Sequence, residues 1–301
     1  MRLCSVSIDL DEIACYAQIH GLPAEPSHAV YDLALARIRS FASDLGIPLT
    51  LFVIARDLDR APNVAALRAL IADGHEIGNH SLDHWYDLTR RGQAEQERQI
   101  AVANERIQSA LGVAPSGFRA PGYTVTDELL AVVQACGLKY DSSVFPCPPY
   151  YAAKAARLLR MKLTGQRSRA VLDTPRVLRA PTGPYRIGRP YWQPGSGLLE
   201  LPIQVASPLR VPFIGTALSL LGPSAARLLT RSVIGSALVN LELHGIDFLD
   251  ARDVPPAVAA VQPDVRIPFA RKLETFSAVL ELLRKHGYAC VRLDEAARAF
   301  A

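Results

Sequence analysis

Through its first 145 residues the chain alternates short apolar, β-rich runs with amphipathic stretches at helical spacing. Few architectures tolerate that order: repeated βα units build a parallel sheet or barrel with helices on its faces. Strands are expected at LCSVSI (3–8), LTLFVIA (49–55), HEIGN (75–79), SGFRA (116–120) and LKYDSS (138–143). Helices are expected near 28–45, 62–73, 92–111 and 126–136, and Gly46, Gly74, Gly112 and Gly137 each follow one of them. A left-handed residue commonly closes a helix, and glycine takes that conformation without steric cost.

From Pro146 to Pro194 the alternation breaks, and prolines and basic residues take over. About 50 residues with few periodic apolar positions make a poor core alone. The segment, about 146–195, therefore reads as a basic, proline-rich insertion in one domain spanning 1–301. The βα pattern resumes with LLELPIQ (198–204), an apolar stretch from Val211 to Ala226, ALVNLELHG (237–245), a helix near 269–286, YACVRL (288–293) and a short terminal helix. The stretch 211–226 is shorter than the roughly 20 residues a bilayer span needs and contains Pro223, so a helix covering the barrel is the better reading.

The net charge of +4 is unevenly placed. Between Ala152 and Tyr191 stand ten Lys or Arg (Lys154, Arg157, Arg160, Lys162, Arg167, Arg169, Arg176, Arg179, Arg186 and Arg189) against one acid, Asp173. That block carries +9 and the remainder −5, which points to an anionic partner. No helix-turn-helix, zinc-finger or RNA-binding signature accompanies it, so nucleic acid is not expected. The five cysteines are scattered without a CxxC spacing, which argues for reduced, mostly structural thiols. Residues 1–8 lack the apolar run and cleavage site of a secretory signal, and a cytoplasmic location is expected.

Five small constellations carry chemistry. His80-Ser81-Leu82-Asp83-His84 puts two histidines at i and i+4, which on one face of a helical turn can bind one metal ion. Asp9 and Asp11 close the first strand run; Arg119-Ala120-Pro121-Gly122-Tyr123 puts an arginine before a tight Pro-Gly turn. Asp141 and His244 end two further runs, in YDSS and LELH. Singly, each has an ordinary explanation as a surface helix pair, a solvated strand end or loop chemistry. Together, each falls at the C-terminal end of an expected strand, where barrel enzymes gather their chemistry.

In that order the motifs resemble those of the polysaccharide deacetylase family, the NodB-homology or carbohydrate esterase family 4: an aspartate pair, HSxxH, RxPxG, a DSS-like element and a leucine-x-histidine. Here they read Asp9/Asp11, HSLDH, RAPGY, YDSS and LELH. Two departures stand out: the aspartates are spaced Asp-Leu-Asp rather than adjacent, and glycine directly follows the proline of RAPGY. The resemblance implies a distorted α/β barrel of about seven strands and a hydrolase that removes an N-acetyl or similar acyl group from an amino sugar. It implies that Asp11, His80 and His84 hold zinc or another divalent metal ion. It also implies that Asp9 is the general base, oriented by Arg119, and that His244 is the general acid with Asp141 behind it. The backbone N–H of Tyr123 is the expected oxyanion donor. Taken with the basic block, it implies an amino-sugar substrate in a lipid-linked glycan or glycolipid and peripheral contact with an anionic membrane through 152–191, at the inner membrane face. The alternatives are a deformylase or allantoinase-like amide hydrolase on the same scaffold, or a non-catalytic carbohydrate- or lipid-binding module.

Overall fold

The computed structural model describes residues 2–23, 27–165 and 168–301; Met1 and Arg167, the latter counted in the basic block, lie outside them. The first half runs β1 (Arg2–Asp9), α1 (Ile13–His20), α2 (Leu35–Leu45), β2 (Leu49–Val53), α3 (Ala61–Ala72), β3 (Glu76–Asn79), α4 (Gln93–Leu111), β4 (Gly117–Phe118), α5 (Asp127–Ala135) and β5 (Tyr140–Asp141). The second half runs α6 (Pro148–Leu163), β6 (Tyr185–Ile187), β7 (Pro194–Glu200), β8 (Val205–Ala206), β9 (Val211–Pro212), α7 (Gly215–Arg231), β10 (Leu238–His244), α8 (Pro256–Val261), α9 (Phe269–Lys285), β11 (Tyr288–Cys290) and α10 (Leu293–Phe300).

The main sheet has the order β10-β1-β2-β3-β4-β5-β7-β6, with β11 also paired to β1. From β10 to β7 every neighbour is parallel. A parallel strand is covered on both faces and is apolar along its length. In β1 every residue after Arg2 is buried, the polar Ser5, Ser7 and Asp9 included. The sheet curls toward closure: past β7, Gln204 N–H donates to Asn240 O (3.0 Å), and Ile214 bridges to Glu242. The expected mixed α/β barrel-like architecture is present. Its helices bury one face each, as in α4, where Gln96, Ile100, Ala103, Ile107 and Leu111 recur at three- and four-residue steps. The main core joins β1, β2 and β10 to α2, α7 and α9.

The segment 146–195 contributes more regular structure than its prolines indicate. Pro148 and Pro149 occupy the first turn of α6, where a missing N–H is harmless. Only Met161 of α6 is buried, so the helix shows no strong apolar stripe. β6 then pairs antiparallel with β7 and joins the sheet edge. The apolar stretch at 211–226 begins in β9 and continues into α7, which packs on α9 and changes direction at Gly222, before Pro223. Among the described residues no helix is long and apolar enough to cross a membrane.

Candidate functional site

The strand ends converge as expected. Asp9 ends β1 and lies in register with His244, the last residue of β10. His80 follows β3, Arg119 follows β4, and all four side chains meet at the same end of the sheet.

His80 and His84 do not share a helical turn. Residues 80–86 form a loop, with Ser81 and His84 at positive φ (67° and 55°). Side chains rarely adopt that region unless the surroundings impose it. Here Asn79 Oδ1 accepts from Ser81 N–H (2.7 Å), Ser81 Oγ accepts from His84 N–H (3.1 Å), and Gln99 pins Leu82 and Asp83 from α4. The loop still brings the rings to 4.8 Å between centroids.

Asp11 lies between them: His80 Nε2 is 3.1 Å from Oδ1 and His84 Nε2 is 3.1 Å from Oδ2. One donor atom from each residue lies within 4.8 Å of the others, and all three residues are buried. His80 Nδ1 donates to Arg119 O (2.7 Å), which leaves Nε2 facing Asp11. His84 Nε2 and Asp11 Oδ1 have no hydrogen-bond partner although both are buried. Such atoms are costly unless something further binds them, and two imidazoles with one carboxylate are a divalent-metal ligand set. Burial would raise the Asp11 carboxyl, but His84 and His80 hold it well below the usual carboxylate range. Burial pushes His84 below its ordinary pKa, toward the neutral form a metal requires. His80 is pushed up: the Asp9 and Asp11 charges outweigh its burial.

Arg119 is fully buried and makes four hydrogen bonds. It reaches Asp9 Oδ1 (2.8 Å), Ser7 Oγ (2.9 Å), Ser142 Oγ (2.8 Å) and Ser142 O (2.8 Å). Asp9 Oδ2 is left without a hydrogen bond and stands 3.8 Å from His80 Nε2. One oxygen of Asp9 is thus fixed and the other faces the cleft.

The expected partner of His244 is corrected. Asp141 accepts from Ser143 Oγ (2.7 Å) and Ser143 N–H (3.1 Å), and lies in register with Glu200 on β7. Both carboxyls are buried and raised: burial acts on each, and the Asp141 charge raises Glu200 further. The imidazole of His244 rests instead on Glu242, Nδ1 to Oε1 2.8 Å. Sheet register explains this, because β5 and β10 are separate strands while residues 242 and 244 project to one face of β10. Burial would lower the His244 pKa, but Glu242, aided by Asp9 and Asp11, holds it well above the ordinary value. Asp247 Oδ2 accepts the His244 N–H (2.8 Å) and anchors the backbone.

The role expected of Tyr123 is corrected as well. Its N–H donates to Ala120 O (3.0 Å) inside the turn formed by left-handed Gly122 and Tyr123. Its hydroxyl donates to Glu242 Oε1 (3.0 Å) and lies 3.4 Å from His244 Nε2. Phe145 and Tyr150 stack around its ring at 5.7 Å each, forming an aromatic wall. The His244 side chain is 19% exposed against 1% for Asp9, so solvent reaches the pair from the histidine side.

With this arrangement in view, the comparisons with known proteins agree on one family. Residues 34–140 match the family model for polysaccharide deacetylase. That stretch resembles a polysaccharide deacetylase domain. The matched span includes His80, His84 and Arg119. The chain is 36% identical over 93 residues to a chitooligosaccharide deacetylase of Bradyrhizobium sp. (strain ANU 289), covering 31% of this chain and 41% of that one. It is 25% identical over 160 residues to a peptidoglycan deacetylase of Helicobacter pylori (strain ATCC 700392 / 26695), covering 50% and 52% respectively. The chain thus spans about half or less of the length of these curated relatives. A solved structure of a proposed polysaccharide deacetylase from Mycobacterium smegmatis superposes with TM-score 0.60 at 16% identity, over 99% of this chain and 90% of that one. At that identity the likeness concerns the fold.

Proposed function

We propose that the protein is a metal-dependent deacetylase that hydrolyses the N-acetyl group of an amino sugar. The observation that carries this reading is the placement of the Asp9 carboxylate, one oxygen of it free of hydrogen bonds, in register with His244 and next to a buried Asp-His-His donor set. Asp11, His80 and His84 would hold the ion, and zinc fits two nitrogens and one oxygen with a position left open. Bound there, it would supply Lewis acidity toward the amide carbonyl and lower the pKa of water.

The chain's own residues divide the proton transfers. Asp9 takes a proton from the attacking water at Oδ2, while Arg119 keeps Oδ1 oriented. His244 delivers a proton from Nε2 to the leaving amine. Glu242 holds Nδ1 and keeps the ring charged until that transfer. The Tyr123 hydroxyl, 3.4 Å from Nε2, is placed to orient the ring or the departing group.

The substrate reading extends to a lipid-linked amino sugar met at an anionic membrane surface, on the cytoplasmic side. Its support is the basic segment: among the described residues, none of the nine remaining Lys and Arg of the block forms an ion pair with an acid. Basic side chains near anionic lipid each contribute about 1 kcal/mol. The test is acetate release from N-acetylglucosamine oligomers and from a polyprenyl-linked N-acetyl amino sugar, with and without chelator. Metal-restored release on either substrate supports the hydrolase, and preference for the lipid-linked one supports the extension. Absence of release from both, in metal-loaded protein, rejects the reading.

A further inference from the structure

Far from the catalytic end of the sheet, β1 and β11 place two cysteines opposite each other: Cys4 and Cys290 are paired in parallel register. Paired residues on adjacent strands project to the same face with their backbones about 4.7–4.9 Å apart, inside the roughly 4.4–6.8 Å Cα span of disulfides. Both side chains join the main core cluster, Cys4 fully buried and Cys290 at its partly exposed margin. The two thiols are electrostatically coupled, and the charge of Arg284 from α9 acts on Cys290. One thiol is therefore reachable and beside a cation, and the other waits behind it.

We propose that Cys290 and Cys4 are an oxidisable pair, in which Cys290 reacts with a hydroperoxide and Cys4 resolves the product to a disulfide. In the first step the Cys290 thiolate sulfur attacks one peroxide oxygen, the O–O bond breaks, and hydroxide (or alkoxide) leaves and takes a proton from water, giving a sulfenic acid. In the second, Cys4 sulfur attacks that sulfur, the S–O bond breaks, and the hydroxyl departs as water with the Cys4 proton. Two thiols are oxidised and one peroxide is reduced. Its coupling to Cys4 and the charge of Arg284 hold the Cys290 thiol down at about 6, as the attacking partner requires, while the same coupling and burial hold Cys4 well above its ordinary value. Cys136, also partly exposed, has its thiol raised by burial and has no such neighbour among the described residues. The cross-link would tie the last strand of the sheet to the first, whose other end carries Asp9.

The test is hydrogen peroxide treatment of the full chain, followed by thiol titration in denaturant, intact mass and a non-reducing peptide map. Wild type should lose two of its five thiols and two hydrogens of mass, join the peptides of Cys4 and Cys290, and recover with reductant. Cys290→Ser should keep its thiols under the same exposure. Cys4→Ser should stop at a Cys290 sulfenic acid that a dimedone probe captures. Wild-type protein that keeps all five thiols, or a map that joins other cysteines, overturns the proposal. Should Cys4→Ser fail to fold, the wild-type map and Cys290→Ser decide alone.

Discussion

His244 sets its Nδ1 2.8 Å from the carboxylate of Glu242, two residues earlier on the same strand. Acid and supporting carboxylate are thus fixed by one rigid element, whereas Asp9, their neighbour in register, belongs to β1. Removing the carboxylate should therefore act on the protonation of His244 before it acts on the fold.

Glu242→Gln keeps the shape and removes the charge. The His244 pKa is raised in the native site, so the imidazolium persists through neutrality and the acid is lost only as pH rises through that raised value. In the variant the alkaline limb of the pH–rate profile should move to lower pH, and kcat at neutral pH should fall on the order of 100-fold. Asp141→Asn, whose carboxyl faces Ser143 and Glu200, should leave that limb in place.

Arg119→Met removes the guanidinium bonded to buried Asp9. Leaving a buried charge without its partner costs about 3–5 kcal/mol, and denaturant unfolding should show a loss of that size together with loss of activity.

Gly215 packs so closely on Asp247 that an added Cβ would overlap Oδ2, the atom that accepts the His244 N–H. Gly215→Ala should displace Asp247 and lower kcat more than it raises KM, with the melting temperature as the control for global damage.

Asp173 links the connection after α6 to Tyr191, whose hydroxyl donates to Oδ2 at 2.7 Å. Burial raises its carboxyl from 3.8 to about 6. Because the folded value is raised, its contribution to stability is complete below pH 3.8 and is lost as pH climbs through about 6. Asp173→Asn stays neutral throughout, so melting temperatures measured between pH 4 and 7 should fall less steeply in the variant.

Much of the sheet and the place of most candidate-site residues were legible in the sequence because parallel strands announce themselves as runs of buried residues. The positions of Asp9, Asp11, His80, His84, Arg119 and His244 follow from their places at the ends of such runs. Register was not legible: nothing in YDSS tells whether Asp141 stands behind His244, since that depends on which strands are neighbours. Glu242 carried a signal all the same, as it lies two residues from His244 on an expected strand and so shares its face. The loop at 80–86 was hidden because the spacing of His80 and His84 also suits a helix, and only contacts from Asn79 and Gln99 impose its left-handed residues. α6 was hidden by its opening prolines and by burying a single residue.

The most direct test of the account is metal-dependent release of acetate from an N-acetylated amino sugar, with metal content measured on the same samples. Wild type should bind about one divalent ion and lose activity on chelation. His84→Ala and Asp11→Ala should lose both ion and activity, and Asp9→Asn should keep the ion while losing activity. A chain that binds no ion on titration, or an Asp9→Asn variant as active as wild type, would contradict it.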